Sequence, residues 1–460
     1  MKNLKQLCVL ITLMTMSFLS VAQSSINCFN IGENAAEIAA LIDEGRYRYV
    51  NEQGLKTTTD FNFQIDKDYS EYLKFAMGEI KRKNPRADMP CPMMTKTYQQ
   101  LAKQNLWSNN TPNISQLIAP FELVHQDSKK AIVLIHGLTD SPYSFHDLAQ
   151  FFYQQGFTVR TLLLPGHGTA PSGLLDVTYQ QWQQASQFAI ERTLQDFEQV
   201  YLGGFSTGGA LIFDYLMQQS QVDEKIKGLF MWSPASKAKS DLAWLAKYVD
   251  YIPFVDWIDL DADIDFAKYE SFPYNAAAQV HALMSRIVGD KAMKNRVMHN
   301  IPIFVVASEH DQTIATEQTL VLIEQWQQAE KKAEQMQNKQ NSMLVYYGNS
   351  AKVPDSIKIK LERPKCLAND LCHDVYDIAH TATTNAPSNP HYGVNGQYRN
   401  CGHYIKEFSR YIACKQSDQV VKGELTEANL SEHQLLQRLT YNPYYQHMLD
   451  SMTTFLQLTR

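Results

Sequence analysis

Near the middle of the chain, Gly204-Phe205-Ser206-Thr207-Gly208 forms a G-x-S-x-G pattern suited to presenting a nucleophile. The β-prone run Val200-Tyr201-Leu202 precedes it, and Leu211, Ile212, Tyr215 and Leu216 follow at helical spacing. The stretch reads as strand, sharp turn and helix, with Ser206 at the turn. Side chains two residues before and two after the serine would collide with neighbouring backbone, so only glycine fits there. A neutral serine is a weak nucleophile. It needs a histidine to take its proton, a carboxylate to orient that histidine, and backbone N–H groups to meet the developing oxyanion.

The elements around this turn alternate. Phe121–His125 reads as a strand, and Ala131–Ile135 is a continuous apolar run of the kind a buried parallel strand shows. Phe145–Phe152 reads as a helix, Phe157–Leu163 as a strand, Tyr179–Phe197 as a helix and Ile226–Trp232 as a strand. The run Ile303–Val306 resumes the sheet, a helix spans Glu317–Gln335, and Met343–Tyr347 and Ile357–Leu361 read as strands. Such alternation predicts an α/β fold, a mostly parallel sheet covered by helices on both faces. Residues 23–119 read as an N-terminal extension to a domain spanning 120–460.

These residues resemble the α/β-hydrolase superfamily, nearest the branch of monoglyceride lipases, carboxylesterases and some serine aminopeptidases. The resemblance rests on four pieces: His136-Gly137-Leu138, Leu164-Pro165-Gly166-His167-Gly168, the serine turn, and Asp311 after an apolar strand. It covers roughly residues 120–320. It implies a triad in the order serine, acid, histidine. Asp311 fits the acid, with Glu309 as competitor. The family's usual place for the histidine is filled by a helix end and two strands, so a further insertion, about 326–372, pushes it downstream. Ile378-Ala379-His380-Thr381-Ala382 resembles the family's histidine loop and makes His380 the expected base, whereas His373 and His391 read as surface-loop histidines. The resemblance also implies an oxyanion hole from the amides of Leu138 and Thr207, with His136 and His167 supporting loops. The aromatic stretch within about 236–300 falls where this branch inserts its cap.

Composition narrows the rest. Lys2 and Lys5 before the apolar run Leu7–Val21, then Ser20-Val21-Ala22, read as a signal peptide over residues 1–22 and an exported protein. No other segment reads as a membrane span. Without the leader, 40 basic residues face 48 acidic ones, a net charge of −8 that disfavours nucleic acid as a partner. Six cysteines remain, enough for disulfides, and proximity suggests Cys28–Cys91, Cys366–Cys372 and Cys401–Cys414. No metal or cofactor motif stands out. The run Asp259, Asp261, Asp263, Asp265 and Glu270 has calcium-loop spacing, but Ile264 stands where that loop needs glycine, so a solvated acidic face is expected. The expected function is hydrolysis of small or lipid-like carboxylic esters by a serine triad. Two alternatives stand beside it: an aminopeptidase using the acidic run to hold an amine, and a binding protein that has lost the chemistry.

Overall fold

The structure, a computed structural model, describes residues 26–50, 61–104, 107, 111–240, 245–249, 255–288, 299–334, 341–357, 360–362, 364–366, 371–373 and 375–459. The signal-peptide segment 1–22 lies outside the described residues.

Eight strands form the central sheet: β1 (Glu122–Leu123), β2 (Lys130–Ile135), β3 (Thr158–Leu162), β4 (Gln199–Phe205), β5 (Ile226–Trp232), β6 (Ile303–Ser308), β7 (Met343–Tyr347) and β8 (Lys360–Glu362). Their spatial order is β1-β3-β2-β4-β5-β6-β7-β8. Only the β1–β3 pairing is antiparallel. The apolar runs are continuous because both faces are covered. Val133, Leu202, Met231, Val305 and Leu344 point into one core layer, while Ile132, Tyr201, Phe230, Phe304 and Val345 point into the other. The first layer packs against helices Tyr69–Lys83, Tyr179–Asp196, Thr207–Gln218, Tyr274–Ile287 and Thr316–Glu334. The second packs against His146–Gln154 and Tyr445–Leu458. Fully burying one such aromatic side chain stabilises the fold by about 1.5–3 kcal/mol, so the doubly covered sheet is the rigid frame.

Residues 61–104 pack against the segments that follow β2 and β3. The Tyr72 hydroxyl donates to the Leu163 carbonyl at 2.9 Å and accepts from its amide at 2.8 Å. Thr95 Oγ1 lies 2.8 Å from His146 Nδ1, and Asn84 Nδ2 donates to the Gly168 carbonyl at 2.9 Å. In the 236–300 stretch, Leu242, Trp244, Tyr251, Ile252 and Phe254 lie outside the described residues. Tyr248 is exposed, and a short antiparallel pair joins Trp257–Asp259 to Phe272–Pro273.

The acidic run departs from the solvated face expected of it. Asp259 is exposed, but Asp261, Asp263 and Asp265 are buried. Asp261 and Asp265 take partners from remote parts of the chain. Asp261 Oδ1 accepts from the Tyr411 hydroxyl at 2.8 Å, and Asp265 takes His391 Nε2 and the Tyr392 hydroxyl, each at 2.8 Å. Asp263 accepts from the Ser271 hydroxyl and amide at 2.6 and 2.8 Å. Arg86 caps the backbone carbonyls of Asp263 and Asp265 at 2.7 and 3.0 Å. Burial would raise the Asp265 carboxyl, but His391 beside it holds it below the ordinary carboxylate range. Among the described residues no group of three or more His, Cys, Asp or Glu is placed to hold a metal ion. His391 is likewise corrected from a surface histidine to a buried one, because it is the partner of Asp265.

Three disulfides join Cys28–Cys91, Cys366–Cys372 and Cys401–Cys414, the pairs that proximity suggests. Intact-mass measurement should therefore find the native protein six hydrogens lighter than the reduced one. Opening the bridge with a sequence separation of 63 by Cys28→Ser/Cys91→Ser should cost about 2–4 kcal/mol in denaturant unfolding. Free thiols at these positions in the native protein would contradict the pairing.

Candidate active site

Strand β4 ends at Phe205, and the helix Thr207–Gln218 begins one residue later. That leaves only Ser206 to make the turn, at φ 50° and ψ −114°. A non-glycine residue at positive φ costs of order 1–3 kcal/mol. Three backbone hydrogen bonds hold it there: the Ser206 amide donates to the Trp232 carbonyl at 3.0 Å, and its own carbonyl accepts from Ala235 at 2.9 Å and Ala210 at 3.2 Å. The flanking glycines are required by contact. A Cβ on Gly204 would lie 2.4 Å from the Gly209 nitrogen, and one on Gly208 would lie 1.9 Å from the Ile135 oxygen.

The three residues expected to form a triad come together. Asp311 lies just past β6, and its Oδ1 accepts from the amides of Thr313 and Ile314, each at 2.8 Å. His380 opens a short 3-10 turn, His380–Ala382, placed beside β6 by the Ser308 hydroxyl donating to the Ile378 carbonyl at 2.7 Å. His380 Nδ1 lies 2.7 Å from Asp311 Oδ2, and Nε2 lies 2.9 Å from Ser206 Oγ. All three side chains are buried, Ser206 at 7% exposure. Burial would raise the Asp311 carboxyl, yet His380 beside it and the two backbone amides hold it below its ordinary value. The carboxylate is thus ionised where it faces the imidazole. Glu309, the competing acid, is occupied by Lys352 at 2.7 Å and the Asn349 amide at 2.6 Å. His373 is exposed.

The loop after β2 carries Leu138. Two buried histidines brace it. His136 Nε2 accepts from the Leu164 amide at 3.1 Å and its Nδ1 faces the Gly137 carbonyl at 2.8 Å. His167 Nε2 accepts from the Thr139 amide at 3.1 Å, with Nδ1 on the Pro165 carbonyl at 3.1 Å. An accepting Nε2 leaves the proton on Nδ1, so each ring is neutral and its tautomer fixed. Burial pushes His136 well below its usual range and His167 down to about 4. Thr207 is the first residue of its helix, so its amide has no intrahelical acceptor. The Leu138 amide makes no hydrogen bond among the described residues. A Cβ on Gly137 would touch Ser206 Cβ at 3.1 Å, which measures how closely this loop approaches the serine. Sequence reading missed Glu424, whose Oε2 accepts from the His380 amide at 3.0 Å. No local motif marks it.

The arrangement suits acyl transfer: a serine oxygen, an imidazole within hydrogen-bond distance of it, and a carboxylate behind the imidazole. A family model described as the alpha/beta hydrolase fold matches residues 130–381. The chain is 26% identical over 182 residues to a thermostable monoacylglycerol lipase of Bacillus sp. (strain H-257), covering 39% of this chain and 70% of that protein. It is 22% identical over 215 residues to a carboxylesterase of Bacillus subtilis (strain 168), covering 45% and 82%. Among solved structures it is similar to a monoacylglycerol lipase of Paleococcus ferrophilus, 20% identical, covering 52% and 93%, with a TM-score of 0.38.

One carboxyl in this loop titrates the other way from Asp311. Burial pushes Asp140 up to about 7. Its folded form holds a proton that the unfolded chain has already lost, so its contribution to stability is greatest below the ordinary carboxylate range and fades as pH rises through about 7. Asp140→Asn keeps an acceptor for the Ser141 amide, 2.8 Å away, and removes that loss. Its Tm relative to wild type should rise more at about pH 8 than at about pH 5. An equal shift at both would contradict the assignment.

Proposed function

The chain belongs to the alpha/beta hydrolase fold family, and from that footing we propose that it is an exported serine hydrolase that cleaves carboxylic esters through an acyl-enzyme. The observation that carries the proposal is the continuous chain from Ser206 Oγ through His380 to Asp311, at 2.9 and 2.7 Å. In this reading His380 Nε2 takes the Ser206 proton as Oγ attacks the ester carbonyl, while Asp311 stabilises the imidazolium. The oxyanion is met by the amides of Leu138 and Thr207. His380 then protonates the leaving alcohol, and water repeats the sequence to release the acid. The stretch about 236–300 serves as the cap, and about 326–372 as a further insertion.

An ester is favoured over an amino-terminal peptide because Asp261, Asp263 and Asp265 are spent on internal partners and cannot hold a free amine. The names of the relatives point the same way, to acylglycerol and carboxylic ester substrates. Export is supported by the leader-like segment 1–22 and by three disulfides. Among the described residues no helix is long and apolar enough to cross a membrane.

A panel of p-nitrophenyl esters of increasing chain length, run beside amino-acid p-nitroanilides, tests the reading. Wild type should turn over the esters and leave the anilides. Ser206→Ala and His380→Ala should each lose roughly 10³-fold or more in kcat, while His373→Ala stays within about tenfold. Turnover of anilides alone, or an active His380→Ala, would overturn it.

A further inference from the structure

The C-terminal part of the chain, beyond residue 381 where the family match ends, supplies an ion pair with a fully buried carboxylate beside the candidate site. Strands Val421–Gly423 and Leu436–Arg438 pair in parallel, with Gly423 opposite Arg438. This register sets Glu424 against Arg438. Arg438 Nε donates to Glu424 Oε1 at 2.7 Å and Nη2 to Oε2 at 2.9 Å, a two-pronged contact. The Glu424 side chain is fully buried.

What that carboxylate does next is the informative part. Its Oε2 also accepts from the amide of His380 at 3.0 Å and from the amide of Gln312 at 3.4 Å. Gln312 is the residue after Asp311. Arg438 Nη2 donates as well to Thr313 Oγ1 at 2.8 Å, and the Thr313 amide is one of the two that hold Asp311 Oδ1. One ion pair therefore touches the histidine loop and the acid loop at once. The same strand reaches the histidine loop a second time, since the Tyr376 amide donates to the Lys422 carbonyl at 3.0 Å. Burial would lower the Arg438 pKa, but the Glu424 carboxylate holds it raised, with Asp311 adding to the effect. The guanidinium thus stays charged, and the buried carboxylate keeps its counter-ion.

We propose that Glu424, clamped by Arg438, is a positioning residue that holds the backbone of His380 and the Asp311 loop in register with Ser206. The proposal rests on the reading of Ser206 as nucleophile. It follows from geometry: a proton relay works only when its members are held within about 0.5 Å of the productive arrangement. The His380 loop is separated from Asp311 by 69 residues of chain and needs an anchor of its own. Glu424 supplies that anchor without touching substrate.

The test uses the full-length protein and one soluble p-nitrophenyl ester. Competent sites are counted by titration with a fluorophosphonate probe, and kcat is expressed per titrated site. Glu424→Gln places an amide N–H₂ against the guanidinium or against the His380 amide, so the shared anchor is broken at constant size. Its kcat per site should fall about 30-fold or more, with KM within about threefold of wild type. A lower Tm with kcat per site within about twofold would mean a structural role only and would overturn the proposal. If Glu424→Gln does not fold, Thr313→Val removes just the Arg438 contact to the acid loop. It should lower kcat about fivefold with KM unchanged, and an unchanged kcat would overturn the proposal. Probe labelling of the wild type away from Ser206 is a separate failure, which removes the nucleophile reading and this proposal with it.

Discussion

There is no room for a methyl group between Gly208 and the carbonyl of Ile135, since a Cβ would come within 1.9 Å of that oxygen. The rest of the site depends on this close approach. It lets the helix Thr207–Gln218 start directly above the end of β2, one residue after β4 ends. The helix then begins directly after Ser206, and the loop after β2 approaches it closely at Gly137. The positive end of the helix dipole faces the place where negative charge would develop. The strain of Ser206 at positive φ persists because strands β2 and β5 on either side are buried on both faces and cannot shift.

Around that turn, buried polar contacts tie the neighbouring loops together. His136 and His167 tie the loop after β2 to the loop after β3. Residues 61–104 then lock the latter through Tyr72 and Asn84. On the other side, Asp265 with His391 and Tyr392 binds the 259–271 segment to the C-terminal loops. These contacts are costly to bury and expensive to break one at a time, which favours a single arrangement of the loops over many. The extensions therefore serve the site by fixing loops, while the central sheet supplies the frame.

Much of this was legible in the chain because it is local. Apolar runs flanked by turn residues mark the strands, and Ile378-Ala379-His380-Thr381-Ala382 is picked out by its resemblance to the family's histidine loop, with small neighbours that allow close approach. Cysteines near one another in sequence are bonded to one another. What was not legible depends on partners far away. Alternating aspartates look like a solvated edge until Arg86, His391 and Tyr411 arrive from segments separated by 126 to 177 residues. His391 beside a proline looks like a loop residue for the same reason. Glu424 lies in a polar stretch with nothing local to distinguish it, and its bond to the His380 amide spans 44 residues. The two-residue strand β1 shows the limit from the other side. Phe121–His125 has strand composition, but only Glu122 and Leu123 find a partner in β3.

The central claim is that Ser206, with the amides of Leu138 and Thr207, forms one site for an acyl transition state. A crystal structure of the protein inactivated with a fluorophosphonate tests it most directly. The account predicts phosphorus bonded to Ser206 Oγ, with one phosphoryl oxygen about 2.7–3.1 Å from both amides and His380 Nε2 free to face the leaving-group side. An adduct on another residue, or one whose oxygen turns away from these amides, would contradict it.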